Sequence, residues 1–158
     1  MPMNYSLDTS ALIDGIERFY PVRNFPQFWA RMDDLIAEGR LQVSEEAWTE
    51  AIAVDAPVKA WCEEVGYQRD QAIYSTSSAV AAIVGAILAV YPQWVVQGGK
   101  NGADPFVIAV AEAESGMVIS GETNGGPSKP KIPYVCIQRG TPHGRLVDLI
   151  REEDWVIG

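Results

Sequence analysis

The sequence predicts an α/β domain built on a short parallel sheet, and three observations carry that prediction. Short apolar stretches at residues 5–7, 41–43 and 117–120 have the length and bounds of strands. The first two run directly into a capping residue and then an apolar pattern at helical spacing. Strands that alternate in this way with helices favour a parallel sheet with helices packed on it. The 158 residues, 47% hydrophobic and 21% charged, suit one domain spanning 1–158, and a second core would be cramped. No internal repeat, low-complexity tail or linker interrupts it.

Each element has its own signal. Residues 5–7 form an extended stretch ending at Asp8, and Thr9 and Ser10 open a helix carrying Ala11, Leu12, Ile13 and Ile16. Segment 18–26, punctuated by Pro21 and Pro26, reads as irregular. A helix of about ten residues then places Phe28, Trp29, Met32, Leu35 and Ile36 on one side, and Gly39 ends it. The second strand runs into Ser44, the N-cap of a helix that turns Ala47, Trp48, Ala51 and Ile52 inward. After Pro57 come a helix with Val58, Trp61, Cys62 and Val65 and another over about 75–90. Within the latter, the apolar run 79–91 falls short of the roughly 20 residues needed to cross a bilayer and reads as a buried helix. Residues 98–102 form a flexible glycine-rich loop without the spacing of a phosphate-binding P-loop. Residues 105–113 are apolar on nearly all sides, as in a central helix, and the buried strand 117–120 follows. A Gly/Pro/Ser-rich loop to Ser128, a short helix from Pro133 and a last helix over about 146–153 complete the chain.

Composition removes several functional classes. Cys62 and Cys136 stand apart, with no partner at zinc-ligand spacing, and read as core residues. His143, the only histidine, lies in a Thr-Pro-His-Gly turn without a paired nucleophile, so it reads as a surface residue and a Ser-His-Asp hydrolase is not supported. The first residues lack the pattern of a secretory signal, which points to the cytoplasm and away from the membrane. The net charge of −9 and pI near 4.5 oppose tight, non-specific binding to nucleic acid through phosphate neutralisation. That objection weakens where carboxylates converge on metal ions, because the cations then meet the phosphate.

Parallel α/β sheets form sites outside the carboxyl ends of their strands. Asp8 follows the first strand, Glu122 follows the third, Glu50 lies on the helix after the second, and Asp104 stands immediately before the central helix. Four carboxylates from four segments would repel one another unless Mg2+ or Mn2+ lay among them.

These motifs resemble the PIN domain family. Its members open with a strand ending in Asp-Thr-Ser or Asp-Thr-Asn, matched by Asp8-Thr9-Ser10. Its second acid corresponds to Glu50 in the run Leu41 to Glu50, its third to Asp104 in Ala103-Asp104-Pro105-Phe106-Val107-Ile108-Ala109. The fourth follows a Val-Thr-x-Asp-like turn, here Val118-Ile119-Ser120-Gly121-Glu122, with Ser for Thr and Glu for Asp. Ile132 to Cys136 and Leu149 to Trp155 look like a PIN-like subgroup of bacterial proteins. The resemblance implies a three-layer PIN-like fold with a short central parallel sheet flanked by helices. It also implies an endoribonuclease cutting single-stranded or loop RNA with Mg2+ or Mn2+, acting as the toxin of a toxin-antitoxin pair with a cognate antitoxin. Asp8 and Asp104 would be the principal metal ligands, Glu50 and Glu122 would complete the site, and Thr9 or Ser120 would steady them by hydrogen bonds. A homodimer with Phe19, Tyr20, Phe25 and Trp29 as exposed contacts is a further expectation.

Plainer readings stand beside these. Asp104 before Pro105 is an N-cap signal in its own right, and Asp8 is equally placed to cap. Glu50 fits a solvated helix rim, and Glu46, one turn earlier on the same flank, competes for its role. Lys129, Lys131, Arg139 and Arg145 make a locally basic stretch that either holds an RNA backbone or is ordinary solvated surface. A non-catalytic PIN-like module binding RNA or protein is the alternative function. A haloacid-dehalogenase-type phosphatase fits poorly, because Ser10 stands where that chemistry needs a second Asp.

Overall fold

The computed structural model describes residues 2–94 and 102–157. The chain runs β1 (Tyr5–Leu7), α1 (Thr9–Asp14), a π-helical turn (Gly15–Phe19), α2 (Pro26–Ala37), β2 (Leu41–Ser44), α3 (Glu45–Val54) and α4 (Ala56–Cys62). It continues through a 3-10 turn (Arg69–Ala72), β3 (Ile73–Tyr74), α5 (Ser78–Val90), α6 (Asp104–Ala113), β4 (Met117–Ile119), α7 (Ile132–Arg139), β5 (His143–Gly144) and α8 (Leu146–Glu153). The five strands form one parallel sheet in the order β3-β2-β1-β4-β5. The α/β architecture with a central parallel sheet flanked by helices is therefore as the sequence predicts.

The central strands are buried on both faces, as covered parallel strands must be. Ser6 turns its hydroxyl to the Val107 carbonyl of α6 at 2.6 Å, and its neighbour Gln42 reaches Glu114 just past the end of α6 at 3.4 Å. Tyr5, one residue away and so on the opposite face, donates to Glu153 of α8 at 2.5 Å. Helices thus cover both sides of the sheet, giving three layers.

Local sequence explains the helix ends. Ser44 Oγ accepts from Ala47 N at 3.1 Å, Asp55 Oδ1 from Val58 N at 2.9 Å, and Ser77 Oγ from Val80 N at 3.2 Å, each satisfying a backbone donor left free by the first turn. Gly39, with φ +74°, closes the turn after α2 in the left-handed region that favours glycine. Phe28, Trp29, Met32, Leu35 and Ile36 form the buried face of α2. Cys62 and Cys136 are buried free thiols within the core, where burial pushes them up to about 11 and about 12.

Several expectations are corrected. Strands β3 and β5 are not among those the sequence predicts, and His143, read as a turn residue, lies half-buried in β5. Helix α5 is not buried throughout: only Val80, Val84 and Ile87 are enclosed, at helical spacing, while Ala79, Ala81, Ala82, Ala86 and Ala89 face outward. Val65 lies beyond α4 and is 95% exposed. Part of 18–26 belongs to the π-helical turn rather than to irregular chain. Trp29, expected as an exposed contact, is only 2% exposed, packed edge-on to Phe28 and Trp61. The loop 98–102 falls, apart from Gly102, outside the described residues. Among the described residues no helix is long and apolar enough to cross a membrane.

Candidate metal centre

The strand order fixes where a site should form. From β1 the chain works outward through β2 to β3, then crosses back to β4 and outward again to β5, so the direction reverses between β1 and β4. In open parallel sheets the loops leaving two such strands diverge and open a crevice at their carboxyl ends. Asp8 is the first residue after β1, and Ser120 is the first after β4. The Asp8 N–H donates to the Ile119 carbonyl at 2.9 Å, which ties the two strand ends together.

Helix α6 brings in the third acid. It packs across β1, β2 and β4 and is buried along nearly its whole length, with Asp104 in its first turn. Ala103, not Asp104, occupies the cap position, and Asp104 is the first residue inside the helix. The capping reading of Asp104 is therefore set aside. Asp8 does cap: its Oδ2 accepts from Ser10 N at 3.3 Å and from Ser10 Oγ at 2.5 Å. That task uses one oxygen and leaves the other available.

Carboxylate oxygens of Asp8, Asp104 and Glu122 all lie within 4.8 Å of one another. Asp8 is 2% and Asp104 4% exposed, and among the described residues Asp8 Oδ1 and Asp104 Oδ2 are buried without a hydrogen-bond partner. An orphaned, buried carboxylate oxygen is costly, and two of them beside a third acid call for a compensating cation or proton. The electrostatics agree. Burial first, and then the charges of Asp8, Glu122 and Glu50, push Asp104 up to about 9. Burial also raises Asp8, partly offset by the Ser10 hydroxyl. Glu122 is raised by burial and by Asp8, against the opposing pull of the Ile132 N–H and Lys131.

Glu50, on α3, lies outside that group of three but acts on Asp104 and Glu122 through its charge. It is half-buried and raised by burial and by the charge of Asp8. Thr9 Oγ1, at the start of α1, donates to the Ala47 carbonyl at 3.1 Å and so ties α1 to α3. Glu46 turns elsewhere: its Oε2 accepts from Thr76 Oγ1 at 2.8 Å, and it is absent from the charges acting on Asp8, Asp104 and Glu122. Between the two rivals on α3, Glu50 is the one whose charge acts on Asp104 and Glu122.

The loop after β4 is shaped around the same point. Ser120 Oγ accepts from Glu122 N at 2.9 Å, and Glu122 Oε1 accepts from Ile132 N at 3.1 Å at the start of α7. Ser10 Oγ accepts from Gly121 N at 2.9 Å while donating to Asp8, so one hydroxyl couples the two strand-end loops. A Cβ on Gly121 would collide with Asp14 Oδ2 and lie 2.9 Å from the Ser10 carbonyl. Only glycine permits this approach.

Sequence reasoning points to Thr9 and Ser120 but not to Ser10, whose position two residues after Asp8 is the local signal for a side chain that turns back on an aspartate. It also spreads the basic residues too widely. Arg139 is engaged by Glu112 at 2.7 and 2.8 Å, with Thr141 joining Glu112 at 2.8 Å, and stands as a structural ion pair. Arg145 instead lies at the rim of the cluster, its Nη2 donating to the Glu122 carbonyl at 3.4 Å.

Residues 5–157 match the family model described as a domain of unknown function, DUF4411. No curated protein matches the chain.

Proposed function

The chain belongs to the DUF4411 family, and we propose that this member is a PIN-like, metal-dependent endoribonuclease that cuts single-stranded or loop RNA. The convergence of Asp8, Asp104 and Glu122 within 4.8 Å, with two orphaned buried oxygens among them, carries the reading. Oxygen ligands of this hardness suit Mg2+ or Mn2+. Asp8 and Asp104 would hold the ion through their unpartnered oxygens, with Glu122 and Glu50 completing the set. Such an ion supplies Lewis-acid polarisation of a phosphoryl oxygen and a more acidic bound water.

The protein's own groups set up that chemistry. Ser10 fixes one oxygen of Asp8 and so aims the other into the cleft. The Ile132 N–H does the same for Glu122. Arg145, exposed at the rim, offers a guanidinium to a phosphate, and Lys131 lies close enough to Glu122 to lower its proton affinity. Carboxylates lining the floor and cations on the rim explain how a chain of net charge −9 can receive a polyanion.

The test is cleavage of a mixed pool of structured RNAs by purified protein with Mg2+, Mn2+ or EDTA. We expect cutting that needs metal and is lost in Asp8→Asn and Asp104→Asn, both remaining folded. Equal cutting in EDTA, or wild-type rates in Asp8→Asn, would refute the assignment. The proposal extends to a cytoplasmic toxin paired with an antitoxin, for which expression of wild type should slow growth and expression of Asp8→Asn should not.

A further inference from the structure

Next to the acidic cluster lies a cavity of about 160 Å³ whose walls include Ala11, Phe19, Tyr20, Leu146 and Val147. It shares Ser120 and Gly121 with the metal centre, and Arg145 stands at its edge. We propose that this cavity is a nucleobase subsite, receiving the base of the nucleotide whose phosphate lies at the carboxylate cluster. The inference rests on the phosphodiester-cleaving reading of that cluster and adds to it where the substrate's base goes.

Three observations point to a flat, apolar-faced ligand attached to a phosphate. The first is an aromatic file leading outward from the core. Phe28 is fully buried, Tyr20 stacks on it at 4.6 Å with a 25° interplanar angle, and Phe19 follows at 6.4 Å from Tyr20. Phe19 is 55% exposed, so among the described residues the file ends with a ring whose outer side is open. The Trp29 Nε1–H donates to the Tyr20 carbonyl at 2.6 Å and holds the middle of the file in place. Base–aromatic stacking uses such a ring without needing a particular base.

The second observation is continuity. Gly121 forms part of the cavity wall, and its N–H is bound by the same Ser10 hydroxyl that fixes Asp8. Glu122 is the next residue along. A ligand spanning cluster and cavity therefore crosses a single peptide unit, which suits a base and its own phosphate.

The third is charge. Arg145 lines this cavity and also a second, more polar one of about 240 Å³ that includes Glu122, Asn124 and His143. It stands between base site and backbone path, where a guanidinium can meet a phosphate and stack on a base face. The π-helical turn Gly15–Phe19 is the local device that delivers Phe19 there; such turns are uncommon and often mark functional sites.

The experiment uses short single-stranded RNAs carrying 2-aminopurine at each position in turn, with Ca2+ replacing Mg2+ or Mn2+. Fluorescence should be quenched at one position on binding. Phe19→Ala should abolish that quench and raise Kd about tenfold, whereas Phe19→Trp keeps both. The Mn2+-dependent rise in melting temperature should be the same in all three, which separates the subsite from the metal centre. If wild type binds and cuts RNA while the quench and Kd are indifferent to Phe19→Ala, the subsite is wrong and the nuclease reading stands. Equal affinity for an oligonucleotide lacking the base at that position also overturns it. If metal-loaded wild type neither binds nor cuts RNA, the nuclease reading falls, and the subsite with it.

Discussion

Replacing Asp104 by Asn should make the metal-free protein more stable. Burial and three neighbouring carboxylates push the folded Asp104 up to about 9, against 3.8 in the unfolded chain. At pH 7 the folded protein therefore keeps a proton on this group that the unfolded chain would release. Holding it across about three pH units costs about 4 kcal/mol, at about 1.4 kcal/mol per unit. Asn is nearly isosteric with the protonated acid and carries no such cost. The protonated acid and the amide are both neutral, so neither has the favourable interaction of an anion with the N-terminus of α6, and the gain is not offset there. For a domain of this size it corresponds to a rise in melting temperature of roughly 10 °C. The sign with pH follows directly. Because folding takes up a proton between pH 3.8 and about 9, wild-type stability in EDTA falls as pH rises through that window. The Asn variant loses Asp104's share of that slope. Added Mn2+ should stabilise wild type, by about 2.7 kcal/mol at a hundredfold excess over its Kd, and should help Asp104→Asn much less. Thermal melts at several pH values, with EDTA and with Mn2+, read all of this. An Asn variant that melts below wild type in EDTA, or that keeps the full wild-type pH slope, would show that the cluster is not electrostatically strained.

The remaining expectations concern the neighbours. Glu50→Gln should lower RNA cleavage by at least about tenfold while Glu46→Gln leaves it near wild type, because the charge of Glu50 acts on Asp104 and Glu122 whereas Glu46 is engaged by Thr76; equal effects would reopen the choice. Ser10→Ala should weaken metal affinity or activity by about 10–100-fold, as loss of a ligand-orienting hydrogen bond does, and a metal titration followed by melting temperature reads it. Gly121→Ala should destabilise the loop through its collision with Asp14 and abolish cleavage, measured as loss of both melting temperature and rate. Arg139→Met should cost about 1–3 kcal/mol by stranding Glu112 yet leave RNA affinity unchanged; a fall in affinity would return Arg139 to the binding surface.

What the sequence discloses and what it hides have separate physical causes. Strands β1, β2 and β4 are visible because each is apolar and meets a capping or turn residue at its end. Strands β3 and β5 are two residues each and half-buried, with neither alternation nor an apolar run. They become strands only by pairing with β2 and β4, a tertiary effect no local window contains. Helix α5 misleads because alanine is compatible with both core and surface, and its apolar run conceals a buried stripe of three larger side chains. Trp29 reads as exposed when grouped with Phe19 and Phe25, although its own spacing with Phe28 and Met32 puts it on the inward face of α2. Arg139 looks available because its partner Glu112 lies 27 residues away.

The fourth acid shows how the fold tolerates a substitution that short motifs penalise. The resemblance expects Asp after the third strand, and Glu122 reaches from the second residue past Ser120 with one more methylene. The longer side chain reaches the cluster and is anchored by Ile132 N at 3.1 Å, while Ser120 Oγ fixes its backbone N–H at 2.9 Å. Shortening it should therefore not improve the site. Glu122→Asp keeps the charge but cannot satisfy both the Ile132 N–H and the space between Asp8 and Asp104. We expect it to weaken Mn2+ stabilisation as Glu122→Gln does, within about a factor of three. A Glu122→Asp protein with wild-type metal affinity would mean that reach is irrelevant here and that the charge alone places this residue in the cluster.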